Sequence, residues 1–227
     1  MLVVLEGLDG AGKSTQVRML KEYLGKICLS LDYIHFPRYD APVYGELIGK
    51  FLRGGFGSLE GVHPQLVALL FAEDRHAAAP HIRQRLEEGA TVLLDRYVYS
   101  NIAYQCAKLP IGDTADELRE WIINTEYGHF GLPRPDLNIF LDVPIGFVES
   151  SLSSSRKGED RDYLHGRSDI HESDIGFQKR VREIYLRQAS RDRDFISVDC
   201  SDSAGAMLPP EIIFGKIKAI VDKRFGL

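Results

Sequence analysis

Cysteine is scarce in this chain. Only Cys28, Cys106 and Cys200 occur, with no C-x-x-C pairing and no spacing suited to a metal. That argues against a disulfide framework and fits small, buried thiols in a reducing compartment. An excess of positive charge is also lacking. Twenty-eight Lys and Arg against 33 Asp and Glu leave a net charge of −5, which disfavours a general nucleic-acid binder and still permits a local basic pocket for a small anion. No apolar run approaches the ~20 residues of a membrane-spanning helix. The first apolar run starts at Leu2, so no signal peptide is expected before it. There is no internal repeat. These absences leave the expectation of a cytoplasmic protein with one sizeable α/β domain over residues 1–227.

What is present begins at the amino terminus. The apolar run Leu2–Leu5 reads as a buried strand. It leads into Gly7-Leu8-Asp9-Gly10-Ala11-Gly12-Lys13-Ser14, the pattern G-x-x-x-x-G-K-S. Val17, Leu20 and Leu24 follow at helical spacing, and Gly25 suits a helix stop. Strand, glycine-rich loop and helix form the context of a phosphate-cradling P-loop. Backbone N–H groups converge there on phosphate oxygens, aided by the positive end of the helix. Gly7 to Thr15 are therefore the candidate ATP-binding residues. Lys13 is expected to reach the β- and γ-phosphates, and the Ser14 hydroxyl to ligate Mg²⁺.

Further apolar runs, Ile27–Phe36, Thr91–Leu94, Leu137–Val143 and Phe195–Val198, read as strands separated by segments long enough for crossover helices. The expected fold is a three-layer α/β architecture on the P-loop, a mostly parallel five-stranded sheet with helices on both faces. Two segments break the rhythm. Pro37–Pro64 is rich in Gly and Pro, has one helical stretch around Gly45–Leu52, and is placed to border a substrate pocket. Arg156–Glu172 is charged and too polar for core. It reads either as a short lid or as a solvated surface loop. A long helical pattern covers Gln65–Glu87. Phe71 and Arg75 lie four residues apart on it and share a face. They suit either the stacking and edge recognition of a planar base or a core ring beside a surface cation. Asp95-Arg96 follows a strand, where ligands bind in open parallel sheets. The carboxylate suits Mg²⁺ and the guanidinium suits phosphate; a structural ion pair is the alternative.

Taken together, LEGLDGAGKSTQ at the start, HFPRY at 35–39, LLFAEDR at 69–75, DRYVYSNIAYQ at 95–105 and PDLNIFLDVP at 135–144 resemble thymidylate kinase, one of the nucleoside monophosphate kinases. With the lid, the resemblance covers nearly the whole chain. It implies transfer of the ATP γ-phosphoryl group to dTMP, with Mg²⁺, in a homodimer. It also implies residue roles. Phe71 would stack on thymine and Arg75 would donate to its carbonyl. Asn101 would bond the base edge, with Gln105 assisting and Ser100 beside them. Tyr104 would crowd the 2′ position. Asp9 would accept from the 3′-hydroxyl and orient Arg96. Arg38 and Arg96 would bind the acceptor phosphate, and Phe36, Pro37 and Tyr39 would line the sugar side. Asp95 would position Mg²⁺, and Glu172 matches an acidic residue near the substrate.

Two departures matter. One branch of the family carries an arginine in the P-loop where this chain has Gly10, so the missing cation is expected from the lid, with Arg156 and Arg161 foremost and Lys157 and Arg167 available. His171 stands where an aromatic residue is common. Rival readings are a kinase of another pyrimidine monophosphate, a deoxynucleoside kinase, a GTPase-like switch and an inactive ATP-binding protein. The Arg75–Asn101 pair suits a 4-carbonyl better than a 4-amino group. Arginines around an anionic acceptor disfavour the nucleoside kinase, the lack of N-K-x-D disfavours the switch, and the intact Lys13, Ser14, Asp95 and Arg96 disfavour the inactive protein.

Overall fold

Leu2–Gly7 is buried at all six positions. A run buried on both faces belongs at the centre of a parallel sheet. In the computed structural model, which describes residues 1–153, 163–164, 166, 169–172 and 174–227, this segment is strand β1. The other strands are β2 (Leu31–His35), β3 (Thr91–Asp95), β4 (Leu137–Asp142) and β5 (Phe195–Asp199). All pair in parallel, in the order β2-β3-β1-β4-β5. Leu5 sits opposite both Asp95 and Ile139.

This order, with right-handed crossovers, dictates where the helices go. The chain moves one way from β1 to β2 and the other way at every later crossover. Helix α1 (Lys13–Ile27) therefore lies on one face, where it meets the last helix, α8 (Pro210–Phe225). On the other face α4 (Val98–Cys106) packs against α3 (Pro64–Glu87), α5 (Asp113–Ile123) and α7 (Ile175–Arg191). Between these lie α2 (Tyr44–Leu52), which packs on α3, and α6 (Ile145–Ser153). A π-helical turn, Asn124–His129, extends α5. No helix among the described residues is long and apolar enough to cross a membrane.

Strand and helix ends fall close to the sequence expectations, with two corrections. Gly25 does not stop α1, which runs on to Ile27. One glycine costs a helix interior only about 1 kcal/mol, and Val17, Leu20 and Leu24 are buried beneath it. The Ile27–Phe36 run accordingly is not one strand. Ile27 closes the helix, and pairing begins only at Leu31. The lid expectation is answered at its far end alone, because Arg156, Lys157, Arg161 and Arg167 lie outside the described residues. There Leu164, Asp169 and His171 are buried, unlike a wholly solvated loop. Tyr163 and Ile170 pack on a small apolar cluster formed by Ile48, Phe51, Leu52 and Val67.

One buried charge ties the layers together near the P-loop. Glu6 is fully buried at the end of β1. Its Oε1 accepts from the backbone N–H groups of Tyr97 (2.9 Å) and Ser100 (3.2 Å). Its Oε2 accepts from the Tyr185 hydroxyl at 2.9 Å and from the Ser100 hydroxyl. Tyr97, just before α4, offers no side-chain cap of its own. Glu6 thus caps α4 from a neighbouring strand, supplying the acceptor a helix start requires. Burial pushes its pKa above the ordinary value, against the pull of Ser100, Arg96 and Tyr185. Glu6→Ala is expected to destabilise the fold by about 2–4 kcal/mol, read by denaturant unfolding. A loss under ~1 kcal/mol would mean that water replaces the carboxylate.

Candidate active site

The loop after β1 turns twice through left-handed backbone, with φ of 74° at both Gly10 and Gly12, a region that favours glycine. α1 starts directly after Gly12, so its free N–H groups face a cavity of about 1040 Å³. Leu8 to Ser14 line this cavity together with Asp95, Arg96 and Glu172. Ser14 is exposed on its floor. Gly7 stands just behind, its carbonyl accepting from Arg96 NH1 at 2.8 Å, and Thr15 N–H bonds back to Gly12 at 3.2 Å.

Asp95 closes one side. Lys13 forms an ion pair with its Oδ1, His35 Nδ1 lies 3.2 Å from its Oδ2, and the Tyr33 hydroxyl donates at 3.4 Å. Burial works against this charge, but Lys13 and His35 hold the carboxyl well below the usual carboxylate range. A lone carboxylate and an exposed hydroxyl fit Mg²⁺, which keeps waters and takes its remaining oxygens from phosphates.

A second, narrower cavity of about 70 Å³ opens beyond Asp9 and Arg96, which line both. Here the structure brings together Phe36, Pro37, Tyr39, Phe71, Arg75, Ser100, Asn101, Tyr104 and Gln105. α3 supplies Phe71 and Arg75. α4, set in place by Glu6, supplies the last four. Ser100 is committed inward, to Glu6 and to Tyr185 at 2.7 Å.

The wall between the cavities is an ion pair. Arg96 takes φ of 67°, a left-handed conformation that costs a non-glycine residue about 1–3 kcal/mol and marks functional sites. This turn points NH2 at Asp9 Oδ1, 2.7 Å away. Asp9 Oδ2 accepts from the Tyr104 hydroxyl (2.8 Å) and from Gln178 Nε2 (3.1 Å). Burial acts to raise the Asp9 pKa, but Arg96 and the two donors outweigh it and hold Asp9 low.

Two expected residues stand apart from the second cavity. Arg38 lines neither cavity. Its Nε and NH2 are held by Asp74 at 2.9 and 2.7 Å. Glu172 lines the P-loop cavity and not the second one. The structure also adds residues that pattern reading misses. Glu126 binds Arg75, Asp74 binds Arg38, Gln178 binds Asp9, and Tyr163 stacks on Tyr39 with ring centroids 3.7 Å apart. Of these only Asp74 lies in a motif, within LLFAEDR. His171 presents a neutral ring, its pKa lowered to about 3 by burial and by the Lys108 ammonium.

A phosphate cradle at the end of the central strand and an aromatic, polar-edged pocket share one Asp–Arg wall. On this fold that arrangement defines a P-loop nucleoside monophosphate kinase. The thymidylate kinase family model matches residues 5–208. A thymidylate kinase of Mycobacterium tuberculosis is 34% identical over 219 residues, covering 93% of this chain and 99% of the relative. A probable thymidylate kinase of Thermococcus onnurineus is 38% identical over 200 residues, covering 84% and 85%. A solved thymidylate kinase structure from Candida albicans superposes with a TM-score of 0.72 at 26% identity, covering 98% and 91%. The chain belongs to the thymidylate kinase family.

One carboxyl in the site titrates near neutrality. Asp169, which lines the second cavity, is raised to about 7 by burial and by Asp9, although Tyr163 donates to it at 2.6 Å and the His171 N–H at 2.7 Å. The folded protein therefore holds a proton that the unfolded chain releases near pH 4, so this group lowers stability as pH rises from about 4 to about 7. Asp169→Asn is expected to flatten that fall. Melting temperatures at pH 5 and pH 8 check it, at about 2–4 °C per kcal/mol for a domain of this size. An unchanged pH dependence would overturn the assignment.

Proposed function

We propose that this protein transfers the γ-phosphoryl group of ATP to the 5′-phosphate of dTMP, giving dTDP and ADP. The observation that carries the reading is the shared Asp9–Arg96 wall, which sets an anion site on each side of one guanidinium. A phosphate oxygen of the acceptor attacks the γ-phosphorus, and the bond to the β-phosphate oxygen breaks. The acceptor is already anionic, so no strong general base is needed. The task is to align two anions, offset their repulsion and exclude water.

Lys13 leaves Asp95 for the β- and γ-phosphates as ATP settles on residues 7–15. Ser14 and Asp95 would hold Mg²⁺, which would supply Lewis-acid neutralisation of charge at the phosphoryl oxygens. Arg96 grips the acceptor phosphate, and Arg38 joins it by giving up part of its hold on Asp74. Phe71 stacks on the base, Arg75 and Asn101 read its edge with Gln105 beside them, and Tyr104 crowds the 2′ carbon. Asp9 accepts from the 3′-hydroxyl, while Phe36, Pro37 and Tyr39 flank the sugar. Arg156 or Arg161 is the candidate for the transition-state cation missing at Gly10. The exposed Leu66 and Leu69 on α3 support a homodimer. Net negative charge supports small-molecule rather than nucleic-acid partners, and sparse cysteine supports a cytoplasmic site.

A coupled assay of ADP formation with a panel of nucleosides and nucleoside monophosphates tests the reading. ATP- and Mg²⁺-dependent turnover is expected with dTMP and none with thymidine. Lys13→Ala is expected to lower kcat at least ~100-fold, as loss of a group stabilising transition-state charge does; turnover near wild type would remove Lys13 from this role. Ribothymidine monophosphate is expected to lose about 1–3 kcal/mol in kcat/KM through its clash with Tyr104, and Tyr104→Ala to recover part of it. Equal use of both sugars by the wild type would sink that assignment.

A further inference from the structure

Glu126 is fully buried in the π-helical turn, an element that recurs at functional sites. Its carboxylate faces Arg75 and Asn101. Oε2 accepts from Arg75 Nε at 2.5 Å, and Oε1 accepts from Arg75 NH2 at 2.8 Å and from Asn101 Nδ2 at 2.9 Å. Asn101 Nδ2 donates a second time, to the Ala68 carbonyl at 2.9 Å.

An asparagine side chain can ordinarily turn over and exchange donor for acceptor. Here it cannot do so freely. An ionised carboxylate and a carbonyl only accept, so both Nδ2 protons are spent. The group left to Asn101 is Oδ1, which is buried and has no partner among the described residues. Arg75 is fixed by the same carboxylate through Nε and one N–H of NH2, leaving NH1 and the second N–H of NH2 as its remaining donors. One carboxylate thus sets a donor and an acceptor side by side along a cavity that both residues line. Among the described residues, Gln105, on the same wall, has no carboxylate fixing it, and its Oε1 is likewise unpartnered.

We propose that Glu126 is a specificity-determining positioning residue. It sets the polarity of the base-reading edge so that the pocket takes a pyrimidine with a 4-carbonyl and an N3–H, and rejects one with a 4-amino group and a bare N3. The inference rests on the reading that Arg75 and Asn101 face the base. Thymine and uracil present an acceptor followed by a donor, which complements Arg75 followed by Asn101 Oδ1. Cytosine presents the reverse, so each position sets like against like and leaves buried groups unpaired, the case in which discrimination is strongest. Glu126→Gln replaces an all-acceptor group with one acceptor and one donor. Three N–H donors then share a single oxygen, and either Arg75 or Asn101 loses its anchor.

The test compares kcat/KM for dTMP, dUMP and dCMP in wild type, Glu126→Gln and Arg75→Ala. Wild type is expected to favour dTMP over dCMP by at least ~100-fold, and Glu126→Gln to cut that ratio at least ~10-fold. The dTMP-to-dUMP ratio is expected to hold within about threefold, because both bases share the same edge. A general loosening of the fold would lower all three substrates together and leave the dTMP-to-dCMP ratio standing, and that result overturns the proposal. If wild type uses dCMP as well as dTMP, or Arg75→Ala keeps the full ratio, the base-edge reading itself fails. A second measurement needs no substitution. In the wild type with dTMP bound, the Asn101 side-chain amide protons are expected to stay protected from solvent exchange by Glu126 and Ala68. Loss of that protection on binding overturns the role assigned to Glu126 even if Glu126→Gln does not fold.

Discussion

Glu6 carries a carboxylate into the interior at the carboxyl end of the central strand, and α4 begins where it does because that charge accepts its first N–H groups. The consequence reaches the ligand pocket. Ser100, Asn101, Tyr104 and Gln105 all ride on α4, so their positions follow from bonds made at its amino end. The same oxygens receive Tyr185 from α7, whose next-to-first turn carries Gln178 to Asp9. A strand, a capped helix and a packed helix are locked by one anion. An isolated buried charge is costly, but one with four donors is a rigid joint.

The second constraint is the Asp9–Arg96 pair, and the two are coupled. Arg96 sits within reach of both carboxylates, holding Asp9 low and opposing the rise that burial imposes on Glu6. Its left-handed backbone turns the side chain back over the P-loop, so a residue at the end of β3 reads a loop at the end of β1. Around it the charges are nearly balanced in pairs. Lys13 has Asp95, Arg38 has Asp74, Arg75 has Glu126 and Arg96 has Asp9. Anionic ligands compete for cations that are already oriented, which limits the reorganisation required when charge develops during the reaction.

The fold was legible in the sequence because its signals are local. Buried runs such as Leu2–Leu5 and helical spacing such as Val17, Leu20 and Leu24 report the element that contains them. The misjudged junction at Gly25–Phe36 shows the limit. The glycine and the apolar stretch carry only local preferences there, and the surrounding packing extends the helix two residues further and delays the strand. The site was legible where it falls in contiguous motifs, as in residues 7–15 and 95–105. Glu126 and Gln178 left no such trace. Each acts across a sequence gap, 51 residues from Glu126 to Arg75 and 169 from Gln178 to Asp9, and an isolated acid or amide in a polar stretch looks like any surface residue. Arg38 shows the complementary limit. Its motif points to phosphate, but only the structure shows that Asp74 must share it.

The strand order has a further consequence, for the birth of the protein. β1 is made first, yet its neighbours are β3 and β4, which pair with it from Val92 and Leu137 onward. Until roughly two-thirds of the chain has emerged from the ribosome, the most buried strand has no permanent place, and the glycine-rich loop after it hangs on an unpaired edge. Long-range parallel pairing of this kind forms slowly and exposes sticky backbone meanwhile. The glycine-rich loop is thus made before the other four strands of the sheet and is among the last segments to be sheltered.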